Sequence, residues 1–116
     1  MKKVTIWHNP RCSKSRETLA LLQSRNIEPE IVEYLDTPPS ELEIERVLAV
    51  LGLDARALMR TNEAIYREQG LDDPDLDPQT LIEAMHTHPI LIQRPVVIAE
   101  SRARIGRPPE AVLEIL

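Results

Sequence analysis

The apolar positions fall into short runs with two spacings, and the alternation between them outlines the fold. Val4-Thr5-Ile6-Trp7 is a block of β-formers and predicts a strand. Asn9-Pro10 breaks it. From Cys12 or Ser13 onward, Leu19, Leu21 and Leu22 predict a helix. Asn26 closes it, because asparagine tolerates the left-handed conformation of a C-terminal cap. Glu30 to Leu35 predicts a second strand, with Ile31, Val32 and Tyr34 burying both faces. Strand, helix and strand within about thirty residues make the βαβ unit of a parallel sheet.

Helical spacing then takes over. Ser40-Glu41-Leu42-Glu43 is a capping box, opening a helix whose Ile44, Val47, Leu48 and Leu51 share one face and which Gly52 stops. Shorter helices are predicted over 54–60 and 62–69. Asp77-Pro78, an N-cap followed by proline at the first helical position, opens another through Leu81, Ile82 and Met85 to about His88. Val96 to Ala99 is a third strand. A tight turn at Glu100-Ser101 leads to a more polar fourth, Arg102 to Ile105, and Pro108-Pro109 starts a last helix with Val112, Leu113 and Leu116 inward. The order is βα-β, a helical insertion, then ββα. It describes an α/β, thioredoxin-like fold with a mixed four-stranded sheet, spanning residues 1–116 as one domain. In such folds the proline opening the third strand is typically cis and faces the active-site residue, which selects Pro95.

Composition narrows the function. A net charge of -5 argues against a general nucleic-acid binder, which needs a basic face to neutralise phosphate. No apolar run approaches the ~18 residues of a membrane span, and the start, Met1-Lys2-Lys3, leads into no signal-peptide core. A single cysteine forbids an internal disulfide and fits a reducing cytoplasm. His86 and His88 lie two apart on different helix faces, so no metal site is expected.

That cysteine, Cys12, lies in His8-Asn9-Pro10-Arg11-Cys12-Ser13-Lys14-Ser15-Arg16, where a strand ends and a helix begins. Unpaired N–H groups and the helix dipole favour an anion there. Lowering a thiol pKa by about two units takes roughly 2.7 kcal/mol, whereas a helix terminus supplies about 0.3–1 kcal/mol. Cationic or hydrogen-bonding neighbours are therefore required. Arg11, Lys14, Arg16 and His8 are near in sequence, and distant arginines could fold inward. Dithiol chemistry is excluded, because the partner position of a Cys-x-x-Cys pair is Ser15. A tyrosine-phosphatase cradle is excluded as well, because the position of its arginine, six residues after the nucleophile, is Thr18.

His8-Asn9-Pro10-x-Cys12-x-x-Ser15-Arg16 resembles the active-site loop of the glutaredoxin-coupled arsenate reductases. The likeness continues through Pro38-Pro39, Leu58-Met59-Arg60, His88-Pro89-Ile90-Leu91-Ile92-x-Arg94-Pro95 and Arg107-Pro108. Ser13-Lys14 stands where the best-known members carry Gly-Thr. The resemblance implies a thiolate at Cys12 that attacks arsenate, with the oxyanion held by Arg60, Arg94 and Arg107. It implies that His8 helps depress the thiol pKa and that the Ser15 hydroxyl bonds the thiolate. Glutathione would be co-substrate, with no resident cofactor. A glutaredoxin would resolve the Cys12–glutathione disulfide, the chain acting as a cytoplasmic monomer. Two other readings stay open: a monothiol glutathione-dependent oxidoreductase acting on mixed disulfides, and a non-catalytic regulator like the Spx-type RNA polymerase adaptors. Ser15 counts against the second, since those adaptors commonly carry a Cys-x-x-Cys pair.

Overall fold

Where the chain's β-formers end, its caps begin, and the computed structural model, which describes residues 3–116, follows both. Met1 and Lys2, part of the segment read above as lacking a signal peptide, lie outside the described residues. The strands are β1 (Val4–Trp7), β2 (Glu30–Val32), β3 (Val96–Ala99) and β4 (Arg102–Ile105). The α-helices are α1 (Ser13–Ser24), α2 (Glu41–Leu51), α3 (Ala64–Glu68) and α4 (Pro78–Thr87), with 3-10 helices over Ala55–Leu58, Pro89–Leu91 and Pro109–Ile115. None of the described helices is long and apolar enough to cross a membrane.

These elements belong to two compact units: the residues up to Thr37 together with Arg94–Leu116, and Pro38–Gln93. The first holds the sheet, in the order β2-β1-β3-β4. β1 runs parallel to β2, with Ile6 opposite Ile31, and antiparallel to β3, with Trp7 opposite Val96. β3 and β4 are antiparallel, with Val96 opposite Ile105. Val4, Ile6, Val97 and Ala99 pack with Leu22 of α1 and with Val112 and Ile115 of the last 3-10 helix. Each large aliphatic side chain fully buried there contributes about 1.5–3 kcal/mol. α1 ends at Arg25, with Asn26 left-handed at φ 61°. The Ile27 and Asn26 N–H groups close its last carbonyls, on Leu22 and Gln23.

The insertion, Pro38–Gln93, is the second unit. Its entry is the predicted capping box: the Ser40 hydroxyl accepts from the Glu43 N–H, and the Glu43 carboxylate accepts from the Ser40 N–H. Gly52, at φ 69°, ends α2. Asp77 caps α4 by accepting from the Thr80 N–H at 2.8 Å. α2 and α4 pack together through buried faces that include Ile44, Val47, Leu48, Leu81, Ile82 and Met85.

Three elements depart from expectation, the first being the helix expected over 54–60, which is the short 3-10 helix Ala55–Leu58. β2 covers only Glu30–Val32 and is an edge strand, with Ile31 45% exposed, rather than a doubly buried strand reaching Leu35. Beyond Val32 the chain turns, with the Asp36 and Thr37 N–H groups both on the Glu33 carbonyl. The last helix is 3-10 in type, its turns closed by Ala111 on Pro108 and Leu116 on Leu113.

Candidate functional site

β1 delivers the chain to its C-terminal end at Trp7, where the His8 N–H still donates to the Val32 carbonyl at 2.8 Å. The next residues build a tight loop. The Asn9 side-chain oxygen accepts from the Arg11 N–H at 2.9 Å, and its carbonyl accepts from the Cys12 N–H at 3.0 Å. This turn places Cys12 as the extended N-cap of α1, its carbonyl already accepting from the Arg16 N–H. The α1 terminus has no side-chain cap, so the sulfur occupies the place that a capping oxygen usually fills.

Cys12 is 8% exposed. Burial pushes its thiol pKa up, but the Ser15 N–H, the Arg94 guanidinium and the Lys14 N–H bond the thiolate, and the Arg94 charge adds to them, leaving the pKa below its ordinary value. Arg107 Nη2 lies 3.6 Å from Sγ, and its Nε donates to the Arg94 carbonyl at 2.8 Å. The Arg94–Pro95 and Arg107–Pro108 peptide bonds are both cis.

The cations nearest in sequence are differently engaged. Arg16 donates to the Pro10 carbonyl at 2.9 Å, and the exposed Lys14 ammonium pairs with Glu17 at 3.6 Å. Lys14 contributes its backbone N–H to the sulfur, not its charge. Help for the thiolate comes instead from the β3 entrance and the β4 exit.

His8 and Ser15 form a buried pair behind the loop. Ser15 Oγ and His8 Nδ1 share a 2.6 Å hydrogen bond, whose donor is set by the ring's tautomer. The same Oγ accepts from the Asn9 N–H at 3.0 Å. The Ser15 hydroxyl expected at the thiolate is thus turned to His8 and Asn9, and it is the Ser15 N–H that meets the sulfur. Burial lowers the His8 pKa; Glu33 opposes this and Arg16 adds to it, so the ring is neutral at pH 7. Asn9, expected only to break the strand with Pro10, also shapes the loop through its side chain and carbonyl.

Arg60 belongs to the helical unit. Its Nε donates to Glu63 at 3.1 Å, its Nη1 to the Gln93 side chain at 3.2 Å, and its backbone N–H to the Leu91 carbonyl at 2.7 Å. Among the described residues, no group of three or more His, Cys, Asp or Glu side chains could hold a metal ion.

Comparison with known proteins places the chain in a family. The chain is 53% identical to the uncharacterized protein YfgD of Escherichia coli (strain K12), over 99% of this chain and 98% of that one. It is 47% identical, over the full length of both, to the arsenate reductase of Neisseria meningitidis serogroup A. The solved structure of an arsenate reductase from Vibrio cholerae superposes with a TM-score of 0.97 at 52% identity, covering 99% of this chain and 98% of that one. The model of the ArsC family matches residues 7–115. With a thioredoxin-like sheet carrying one cysteine at a helix start, this chain belongs to the ArsC family.

Proposed function

We propose that this chain reduces arsenate to arsenite, with glutathione as co-substrate and a glutaredoxin to restore Cys12. The observation that carries the reading is the set of donors around one sulfur: two backbone N–H groups and Arg94, with Arg107 Nη2 at 3.6 Å. Such a set serves an anionic nucleophile and a tetrahedral oxyanion alike. The name carried by the Neisseria meningitidis relative supports arsenate as that oxyanion.

The Cys12 thiolate attacks arsenic, a sulfur–arsenic bond forms, and one oxygen leaves as water after taking protons. Arsenate and thiolate are both anions, so Arg94 and Arg107 offset their repulsion and stabilise charge developing on oxygen. A glutathione thiol then attacks arsenic, and a second oxygen leaves as water. The two sulfurs couple as the Cys12–glutathione disulfide, both sulfur–arsenic bonds break with one electron pair left on arsenic as As(V) becomes As(III), and the As(III) takes up water and departs as arsenite. A glutaredoxin thiol attacks the mixed disulfide and returns Cys12 to the thiol. The resemblance to the arsenate reductases gives Arg60 an oxyanion-binding role as well; in the helical unit its guanidinium is shared with Glu63 and Gln93. His8 acts on the thiolate through Ser15, as a neutral ring. Glutathione enters as a co-substrate, which places the reaction in the cytoplasm, where thiols are kept reduced.

The test is arsenite release by the purified protein with arsenate, glutathione and glutaredoxin. Wild type releases arsenite, and Cys12→Ser falls to the no-enzyme background. No release by wild type would sink the proposal. Deglutathionylation of a model disulfide, indifferent to Arg60→Ala, would point to the mixed-disulfide reductase instead.

A further inference from the structure

Gly106 is buried between β4 and the last 3-10 helix, one residue before Arg107. A Cβ built on it would lie 2.6 Å from Thr18 Oγ1, 3.2 Å from Thr18 Cγ2 and 2.8 Å from Pro95 Cγ. Real Cβ atoms essentially never come within 3.0 Å of a neighbour, as this one would with Thr18 Oγ1 and Pro95 Cγ, so a side chain there would force the turn or these neighbours to shift. Those neighbours have little room to yield. Thr18 is fully buried on α1, and its hydroxyl donates to the Lys14 carbonyl at 2.8 Å. Pro95 is buried, and its carbonyl accepts from the Gly106 N–H at 2.9 Å.

The same turn carries Arg107. Its backbone N–H donates to the Ile105 carbonyl at 2.9 Å, across Gly106. Its guanidinium spans the Arg94 carbonyl and the Cys12 sulfur. We propose that Gly106 is a positioning residue for the nucleophile: its missing side chain lets the turn lie against Thr18 and Pro95, and that approach brings the Arg107 guanidinium to the Cys12 sulfur. The inference rests on Cys12 acting as a thiolate, as proposed above, but not on the identity of the substrate.

Four proteins test it, with folding checked by circular dichroism: wild type, Gly106→Ala, Arg107→Ala and the double variant. The readout is the pH dependence of Cys12 alkylation, which a merely architectural glycine would not move in a folded protein. Gly106→Ala raises the apparent thiol pKa by about one unit, as Arg107→Ala does, and the double variant matches Arg107→Ala alone. A Gly106→Ala profile equal to wild type would overturn the inference. So would a shift that adds in full to that of Arg107→Ala. If Gly106→Ala does not fold, Gly106→Ala with Thr18→Ala carries the test, since it keeps only the Pro95 contact. Failure of that variant to fold as well assigns Gly106 to architecture and ends the proposal. Arsenite release is measured separately: its absence in wild type would sink the arsenate reading while leaving the alkylation result intact.

Discussion

Two arginines, one in each unit of the molecule, show what distinguishes a reactive cation from a satisfied one. Arg107 donates to a backbone carbonyl and lies beside a buried sulfur, and neither is a carboxylate. Arg60 donates to the Glu63 carboxylate at 3.1 Å in a half-buried pair. The first arrangement lets the guanidinium charge act on the thiol. The second partly cancels that charge, so an incoming oxyanion must compete for it. Proximity to an oxyanion motif in sequence therefore says little about how available a guanidinium is.

Removing each arginine in turn separates their roles. Arg107→Ala lowers kcat/KM for arsenate about 10²-fold, the scale of one lost oxyanion donor, and moves the alkylation profile upward. Arg60→Ala raises KM about tenfold, the size of one lost charge-assisted hydrogen bond, and leaves the alkylation profile in place. Equal effects on the profile would show that the two arginines share one role. Steady-state kinetics and iodoacetamide titration read both.

A smaller effect belongs to His8, in the same unit as Arg107. Its folded pKa lies below the ordinary 6.5, so the unfolded chain takes the proton first as pH falls. Stability from the neutral ring is complete above 6.5 and is lost as pH drops through the depressed folded value. Urea midpoints at about pH 8 and about pH 5.5 differ in wild type, and His8→Gln narrows that difference. An unchanged difference would remove His8 from the account.

The smallest effect is confined to the other unit. Ser40→Ala breaks the exposed capping box of α2, costs roughly 1 kcal/mol and lowers Tm by a few degrees. Cys12 alkylation stays as in wild type. A changed profile would mean that the helical unit's stability reaches the thiol.

Local chemistry made much of the fold legible. Asn26, the Ser40–Glu43 pair, Gly52 and Asp77-Pro78 each act within one turn of chain, and each ends or opens a helix as read. Propensity carries β2 on to Leu35 because Ile31, Val32 and Tyr34 favour a strand, while the turn on the Glu33 carbonyl, which ends it at Val32, is invisible to propensity. The Cys12 loop was legible as a strand-to-helix anion site. Its hydrogen bonds were not. Whether Ser15 offers its hydroxyl or its N–H depends on the side chain's rotamer, set by His8 and Asn9. That Lys14 and Arg16 point elsewhere, while Arg94 and Arg107 arrive from the start of β3 and the end of β4, at the sheet end where β1 finishes, is tertiary information.

Ser15 has one more consequence. It sits where a dithiol enzyme keeps its second sulfur, and its buried hydroxyl is already committed to Asn9 and His8. A chain with one cysteine has nowhere to hold a second electron equivalent. Under the proposed mechanism each two-electron event leaves Cys12 capped until a thiol arrives from outside. Throughput then follows the supply of reductant, so the proposed reaction draws on a thiol reserve as much as it removes an oxyanion.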